Sequence, residues 1–385
     1  MKTFLRTLFR WQYRYLIKPI LFCFPADHVH ELFLSFGRSL GRFSWTRSFI
    51  ASLWRFDDPM LEQSVAGLHF RNPIGLSAGF DYRADLAHLA PAIGFGFETI
   101  GTLTLSAYPG NPRPMLDRLP KSRSLLVNKG FKNEGIETVL DRLHSSAPDG
   151  GIRGVSIGAT NRVYPDFSAM IEEIVAAFRI AEAVPHFDYY ELNVSCPNLL
   201  NLKNLDRTLA SPDGLEEALR ALSPLDLKRP VFIKLPLERS EAELAALIDV
   251  ARPFAFVTGL ICANLAKDRS NPAFDYEEIR AAGQGNFSGK PTERKSNALL
   301  ETAYQLAHDR FVLIGVGGVF TADDAYQKIL SGASLVQLIT GMIYEGPQAI
   351  GAINAGIAQR LKADGYSNVR EAVGRGVRML ENNRV

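Results

Sequence analysis

A thiol, an amine and three carboxamides stand in or just after short apolar runs of this 385-residue chain. In YYELNVSCPN, Tyr189 to Asn198, the side chains of Tyr190, Leu192 and Val194 share one face of a strand, and those of Glu191, Asn193 and Ser195 share the other. Strand side chains alternate with period two. Pro197 cannot donate to a ladder and biases Cys196 toward extended backbone, so Cys196 and Asn198 fall at the carboxyl end of that strand. Asn264 lies near the end of GLICANLA, and Lys234 lies within PVFIKLPL. Carboxamides carry donors and acceptors and suit a planar ligand with several amide edges, although any one of them could cap a loop instead. Cys196 can serve as a base or nucleophile if its pKa is lowered, or be an inert buried thiol. An amine inside an apolar strand needs an electron-rich ring edge or a carboxylate, unless Lys234 points outward into a salt bridge.

A second group of residues points to a phosphate-bearing cofactor such as a flavin. IGVGGV places Gly317 and Gly318 at a strand end just before a helix capped by Thr321, and LITGMIYEGP places Thr340 and Gly341 after the last apolar run. Exposed backbone N–H groups and a helix amino terminus favour an anion there, although the glycines could equally make tight turns only.

Elements that would position these residues follow from the pattern after Asp57-Asp58-Pro59. Apolar runs occur at Asn72–Gly79, Phe97–Thr104, Arg153–Thr160, Tyr189–Cys196, Pro230–Leu237, Gly259–Ala266, Phe311–Gly318 and Ser334–Gly341. Helical patterns alternate with them at Ala84–Ile93, Glu134–Leu143, Phe167–Ala183, Gly214–Leu222, Ala242–Ala251, Asn297–His308, Ala322–Leu330 and Gln348–Leu361. Ser240 with Glu243, Thr321 with Asp324, and Ser211 before Pro212 are start signals. This alternation predicts an α/β fold, a (β/α)₈ TIM barrel, over residues 63–385, with a small amino-terminal helical domain over residues 1–62. The connections Leu105–Lys129, Leu199–Ala210 and Lys267–Arg294 are long enough to be lids or partner surfaces.

The amino-terminal stretch carries Lys2, Arg6, Arg10, Arg14 and Lys18 at intervals of four, with aromatic and aliphatic residues between them and no acid before Asp27. It is too short in uninterrupted apolar residues to span a bilayer and has no small-residue cleavage site. The expectation is a helix lying in the interface of an anionic membrane, against the alternative of a helix packed on the protein with a solvated basic face. Asp27 is expected to cap a second helix through His30, Leu32, Phe33, Phe36 and Leu40, and the helix pair to dock on the body or enclose a lipophilic ligand. A net charge of +2 argues against nucleic acid as a partner. Cys23, Cys196 and Cys262 have neither metal-ligand nor disulfide spacing, so free thiols and no metal are expected.

Taken together, NPIGLSAGFD, PGNPRP, NVSCPN, FIKLP, FSGKP, IGVGG and SGASLVQLITG resemble the dihydroorotate dehydrogenase family over nearly the whole chain, in its membrane-associated, quinone-using branch. The HELF stretch (His30 to Phe33) resembles that branch's quinone-tunnel region. The resemblance implies an oxidoreductase of pyrimidine biosynthesis that holds FMN, oxidises a C–C bond of a dihydropyrimidine and passes the electrons to a lipid quinone. It implies Cys196 as catalytic base, and Ala78, Gly79, Thr102, Ser156, Asn193, Lys234, Ser288, Gly289, Gly317, Gly318, Thr340 and Gly341 as cofactor contacts. Asn128, Asn193, Asn198, Asn264 and Tyr82 are implied on the substrate, and His30 and Arg118 on the quinone. The implied location is peripheral, on the cytoplasmic side of a bacterial inner membrane or, alternatively, at the mitochondrial inner membrane.

Several positions depart from the family pattern. The quinone-using branch ordinarily has serine as base, whereas Cys196 is of the soluble type and the better acid. Tyr82 replaces a lysine that holds the substrate carboxylate, Val127 replaces an asparagine, and Ser156, Leu199 and Leu265 replace more polar residues. Met115 replaces an arginine near the quinone. Arg83 and Lys129 are candidates to compensate for the lost cation. Two other readings remain open: the same fold and cofactor acting on a cyclic substrate without a carboxylate, and a non-catalytic membrane-docked flavin binder.

Overall fold

The computed structural model of the chain describes residues 8–144, 151–199, 205 and 207–377. The apolar runs form parallel strands β1 (Ile74–Leu76), β2 (Phe97–Leu103), β3 (Ile152–Ile157), β4 (Tyr189–Asn193), β5 (Val231–Leu235), β6 (Val257–Cys262), β7 (Val312–Val316) and β8 (Leu335–Leu338). Each pairs with the next, and β8 returns to β1 through Val336 opposite Ile74, so the barrel closes as expected. These strands are nearly continuously apolar because helices cover one face and the barrel's own filling covers the other.

Alternation sorts the filling into layers. Phe97, Tyr189, Phe232, Ile261, Ile314 and Leu335 pack with Phe70 as an apolar floor. One inward position higher, Glu191 of β4 accepts hydrogen bonds from Thr99 Oγ1 at 2.7 Å and Gln337 Nε2 at 2.8 Å. One position higher again, Asn193 reaches the mouth and donates to Thr102 Oγ1 at 2.9 Å. Below the floor lies a hairpin, Gln63–Val65 paired with Leu68–Phe70, that the apolar pattern did not reveal because its strands are only three residues long. Its turn needs positive φ at Ala66 (51°) and Gly67 (79°).

The helix starts at Ser211, Ser240 and Thr321 are capped as expected, the last two as full capping boxes. Ala84–Ile93 is not a helix throughout. Only Ala90–Ile93 is helical, because Asp81 turns the chain before it by accepting from the backbone N–H groups of Arg83, Asp85 and Leu86. Two of the long connections are also structured. Leu116–Leu119 and Ser124–Val127 form a hairpin, and Asn286–Gly289 adds to it, with Ser124 donating to the Ser288 carbonyl 164 residues away in the chain.

Amino-terminal helices cap the same end of the barrel. Residues 8–22 are helical, with a π-helical stretch at Tyr13–Ile17, followed by α1 (Ala26–Gly41) and α2 (Ser44–Trp54). Asp27 is not the cap of α1; Pro25 occupies that position. The buried Asp27 carboxylate instead accepts from the backbone N–H of Met115 at 3.0 Å and Leu116 at 3.4 Å, clamping α1 to the hairpin. Arg10 reaches Glu345 at 2.9 Å, and the Tyr13 hydroxyl donates to the Ile343 carbonyl at 2.7 Å, which holds the first helix down.

Removing the Asp27 carboxylate strands two buried N–H donors. Asp27→Ala should cost about 1–3 kcal/mol and lower the thermal unfolding midpoint, with Asp27→Asn losing less because its amide oxygen can still accept. Equal midpoints for Asp27→Ala and the parent would show that the clamp contributes nothing.

Candidate active site

The strand ends and their loops enclose a pocket at the barrel mouth. Its wall includes Ala78 and Gly79 after β1, Thr102 on β2, Asn193, Cys196 and Asn198 at and after β4, Lys234 on β5, and Asn264 and Leu265 after β6. Lys234 is buried inside the barrel and donates to Ser77 Oγ at 3.2 Å, so the outward salt bridge is ruled out. Burial lowers its pKa, and the Glu191 carboxylate one layer below opposes that shift.

The carboxamides hold one another in place. Asn264 donates to Ser195 Oγ at 2.8 Å, while Asn193 Oδ1 accepts from the Ser195 hydroxyl at 3.1 Å. Asn198 donates to the Val127 carbonyl at 3.0 Å and accepts from Asn286 at 2.6 Å, which ties the loop after β4 to the three-stranded sheet. An amide nitrogen carries two hydrogens, so each of Asn193, Asn198 and Asn264 keeps one for a ligand. Cys196 is the thiol among them. Burial pushes it up to about 12, against the opposing effect of the Asn198 backbone N–H and the Lys234 and Lys267 charges. The expected better acid is thus a neutral thiol here, because desolvation outweighs the nearby cations.

Three glycine loops meet beside this pocket. Ser288 Oγ and Thr340 Oγ1 are 2.8 Å apart, and Gly289, Gly317 and Gly318 all have positive φ, 88°, 105° and 76°. A Cβ at Gly289 would lie 2.9 Å from Thr340 Cγ2, one at Gly317 2.7 Å from Thr292 Oγ1, and one at Gly341 would run into the Val319 carbonyl. Side chains are therefore excluded where these loops close on one another, and glycine turns of this kind can present backbone N–H groups to a phosphate-bearing group. On the ring side, a Cβ at Gly79 would meet only Ile339 Cδ1, at 3.7 Å, so open space faces that backbone. The buried donor Lys234 and the carboxamides complete a surface suited to a planar ring, so the residues present fit FMN.

Some expected contacts are absent from the pocket wall. Asn128 turns away and its Oδ1 accepts from Asn111 at 3.0 Å, leaving Val127 and Lys129 on the wall. Ser156 is buried behind Thr102, with their hydroxyls 2.9 Å apart, and does not line the pocket. Tyr82 does line it, but its hydroxyl donates to the Glu31 carboxylate of α1 and so is already engaged. Leu199 is not on the wall. Wall residues that sequence reasoning missed include Phe80, Phe131 and Lys132, with Glu31 bonded to Lys132 behind them; Phe80 stands in NPIGLSAGFD, Phe131 and Lys132 in KGFK, and Glu31 in HELF.

A second cavity, of about 350 Å³, lies between the amino-terminal helices and the barrel end. Its lining is mostly apolar, with Gln12, Tyr13, His30, Arg118 and Gln348 as polar exceptions. His30, Phe80, Leu116, Leu125 and Ile343 line both cavities. Both ring nitrogens of His30 are engaged, Nε2 with the Phe80 carbonyl at 2.9 Å and Nδ1 with Lys129 Nζ at 3.2 Å. It is therefore a shared wall more than a free polar contact. Arg118 lies over the Phe22 ring at 4.6 Å and donates to the Phe24 carbonyl at 2.8 Å. Met115 is buried away from the cavity.

Residues 60–361 match the profile of a family described as dihydroorotate dehydrogenase. A protein named dihydroorotate dehydrogenase (quinone) from Roseiflexus sp. (strain RS-1) is 36% identical over 361 residues, which is 93% of this chain and 97% of that protein. One of the same name from Nocardia farcinica is 35% identical, over 93% of this chain and 96% of that protein. Among solved structures, DHODH from Eimeria tenella in complex with ferulenol superimposes with a TM-score of 0.77 at 25% identity, covering 91% of this chain and 95% of that one.

The thiol geometry makes a prediction about chemical reactivity. Burial disfavours the thiolate, so the reactive fraction of Cys196 grows about tenfold per pH unit below its pKa of about 12. Iodoacetamide at neutral pH should modify the exposed Cys23 and spare Cys196 and the buried Cys262, with labelling of Cys196 emerging as pH rises. Peptide mass mapping that found Cys196 labelled as fast as Cys23 at pH 7 would contradict a half-buried thiol held neutral by desolvation.

Proposed function

The chain belongs to the dihydroorotate dehydrogenase family, and from that premise we propose that it oxidises dihydroorotate to orotate on bound FMN and delivers the electrons to a lipid quinone. The observation that carries this reading is the shared wall: the mouth pocket that holds the amine, thiol and carboxamides and the apolar cavity under the amino-terminal helices touch through His30, Phe80, Leu116, Leu125 and Ile343. A substrate and a lipophilic acceptor can each have a chamber with only one layer of side chains between them.

In this reading Ala78, Gly79, Thr102, Asn193 and Lys234 hold the cofactor ring, and Ser288, Gly289, Gly317, Gly318, Thr340 and Gly341 hold its phosphate. When bound, FMN accepts a hydride from the substrate and passes two electrons onward. Asn193, Asn198 and Asn264 present their spare N–H donors to the ring carbonyls of the dihydropyrimidine. These amides are braced by one another and by Ser195, so orienting the substrate requires little reorganisation. Cys196, neutral at rest, acts as base only after its own proton has left to solvent, and its thiolate then takes the proton from the substrate carbon next to the one that loses hydride. The backbone N–H of Asn198 and the Lys234 charge favour that form against burial.

Residues 1–62 are read as the acceptor's domain, with quinone entering the apolar cavity and its head group facing Arg118. No helix among the described residues is long and apolar enough to cross a membrane. The chain is read as docking peripherally, on the cytoplasmic side of a bacterial inner membrane, and the interfacial part of that reading is supported by where the exposed large apolar side chains lie. Apart from Val163 and Tyr276, those among the described residues fall between Leu8 and Phe49, including Trp11 (52% exposed), Ile20 (62%), Trp45 (70%) and Phe49 (61%). Such a concentration beside basic residues fits an interfacial surface.

Anaerobic titration with dihydroorotate, followed in the visible flavin band, tests the reaction. Bleaching that added quinone reverses is expected, and Cys196→Ala should slow the bleaching by about 10²–10⁴-fold. Flavin that stays oxidised would point to a cyclic substrate without a carboxylate, and absence of flavin would overturn the cofactor assignment. The membrane surface has its own test. Trp45→Glu with Phe49→Glu should weaken cosedimentation with anionic vesicles while leaving turnover with a soluble acceptor intact, and unchanged cosedimentation would remove this face from the docking surface.

A further inference from the structure

Four cationic side chains approach the mouth pocket, and their partners differ. Arg83 meets Glu31 at 3.0 Å and Asp85 at 2.9 Å, and Lys132 meets Glu31 at 2.6 Å. Lys234 lies inside the barrel against Ser77. Lys129 is different. It is buried, lines the pocket, and is seen to contact only neutral groups: Nδ1 of His30 at 3.2 Å and the face of the Tyr82 ring, 4.8 Å from its centroid.

His30 gives Lys129 no compensating charge. Its Nε2–H donates to the Phe80 carbonyl, which leaves Nδ1 as a neutral acceptor for the Lys129 ammonium. Glu31, the nearest acid of α1, is held by Lys132, Arg83 and the Tyr82 hydroxyl, with the Tyr82 ring beside Lys129. Among the described residues, no carboxylate forms an ion pair with Lys129. A buried ammonium lacking a counter-charge is costly, and an anion delivered by a ligand removes that cost.

We propose that Lys129 receives a carboxylate carried by the ring that binds at the barrel mouth, and that it makes the pocket select anionic over neutral rings. The proposal rests on the function proposed above and adds the residue that sets substrate charge. An ammonium has three N–H donors and His30 takes one, so two remain for carboxylate oxygens. One uncompensated cation balances a monoanion, whereas a dianionic group would be left in excess. Burial and the neighbouring Lys132 charge push the Lys129 amine down to about 7, against the pull of Glu31 and Asp27, so bound anion would also hold the amine in its charged form. Arg83, the other candidate to replace the cation missing at Tyr82, is already paired twice.

The test titrates the oxidised holoenzyme with orotate and with its neutral methyl ester, reading the perturbation of the flavin band. The parent should prefer orotate on the order of 10- to 100-fold. Lys129→Met should lose that preference by weakening orotate alone, and Lys129→Arg should keep most of it, with FMN content and the melting midpoint checking that each variant folds. A parent without preference, or Lys129→Met that still prefers orotate, overturns the role of Lys129 while leaving the flavin chemistry standing. A flavin band that neither compound perturbs overturns this assignment, and failure of dihydroorotate to bleach the parent separately overturns the proposed reaction.

Discussion

Everything in this molecule depends on the alternation of side chains along strands that are buried on both faces. Once the barrel closes, inward positions have no choice but to stack, and β4 shows the result: Tyr189 in the floor, Glu191 in a polar belt, Asn193 at the mouth. Hydrogen bonds within the layer satisfy part of the belt of Thr99, Glu191 and Gln337, leaving Glu191 Oε2 and Gln337 Oε1 buried without a partner among the described residues. It also places a carboxylate beneath Lys234, which opposes the effect of burial on that amine.

Closure brings all strand carboxyl ends to one rim, so residues far apart in the chain become neighbours without long side chains. The glycine loops after β7 and β8 and the segment Asn286–Gly289 meet there because their backbones approach too closely for a Cβ. The sheet formed by Leu116–Leu119, Ser124–Val127 and Asn286–Gly289 then roofs the pocket and gives Asn198 its partners.

The amino-terminal helices attach to that roof through charge and apolar contact together. Asp27 binds two backbone donors of the hairpin, and Glu31 gathers Arg83, Lys132 and Tyr82. This neutralisation consumes most of the positive charge near the pocket and leaves Lys129 apart from it. The same helices turn an apolar face to the barrel and enclose the second cavity, while Trp11, Trp45 and Phe49 remain exposed away from it and Phe36 stands at its edge. One short segment of chain therefore completes the polar pocket, walls the apolar one and supplies an outer surface.

Local pattern determined the barrel, its strands, most of its helix starts and the identity of Cys196, Lys234 and the asparagines at the mouth, because period and capping are properties of neighbouring residues. It also separated the amino-terminal helices from the alternating body. Pairing at a distance decided the rest. The three-stranded sheet depends on a contact between Ser124–Val127 and Asn286–Gly289 that no short window contains, the hairpin below the floor has strands too short to show a period, and Asp81 turned an expected helix into a loop by a local competition for backbone donors. Orientation was likewise tertiary: Asn128 faces Asn111, Ser156 hides behind Thr102, and Asp27 bonds the hairpin instead of its own helix. The thiol of Cys196 is an acid by residue type but a half-buried neutral group by position, since desolvation depends on what surrounds a side chain and not on what precedes it in the chain.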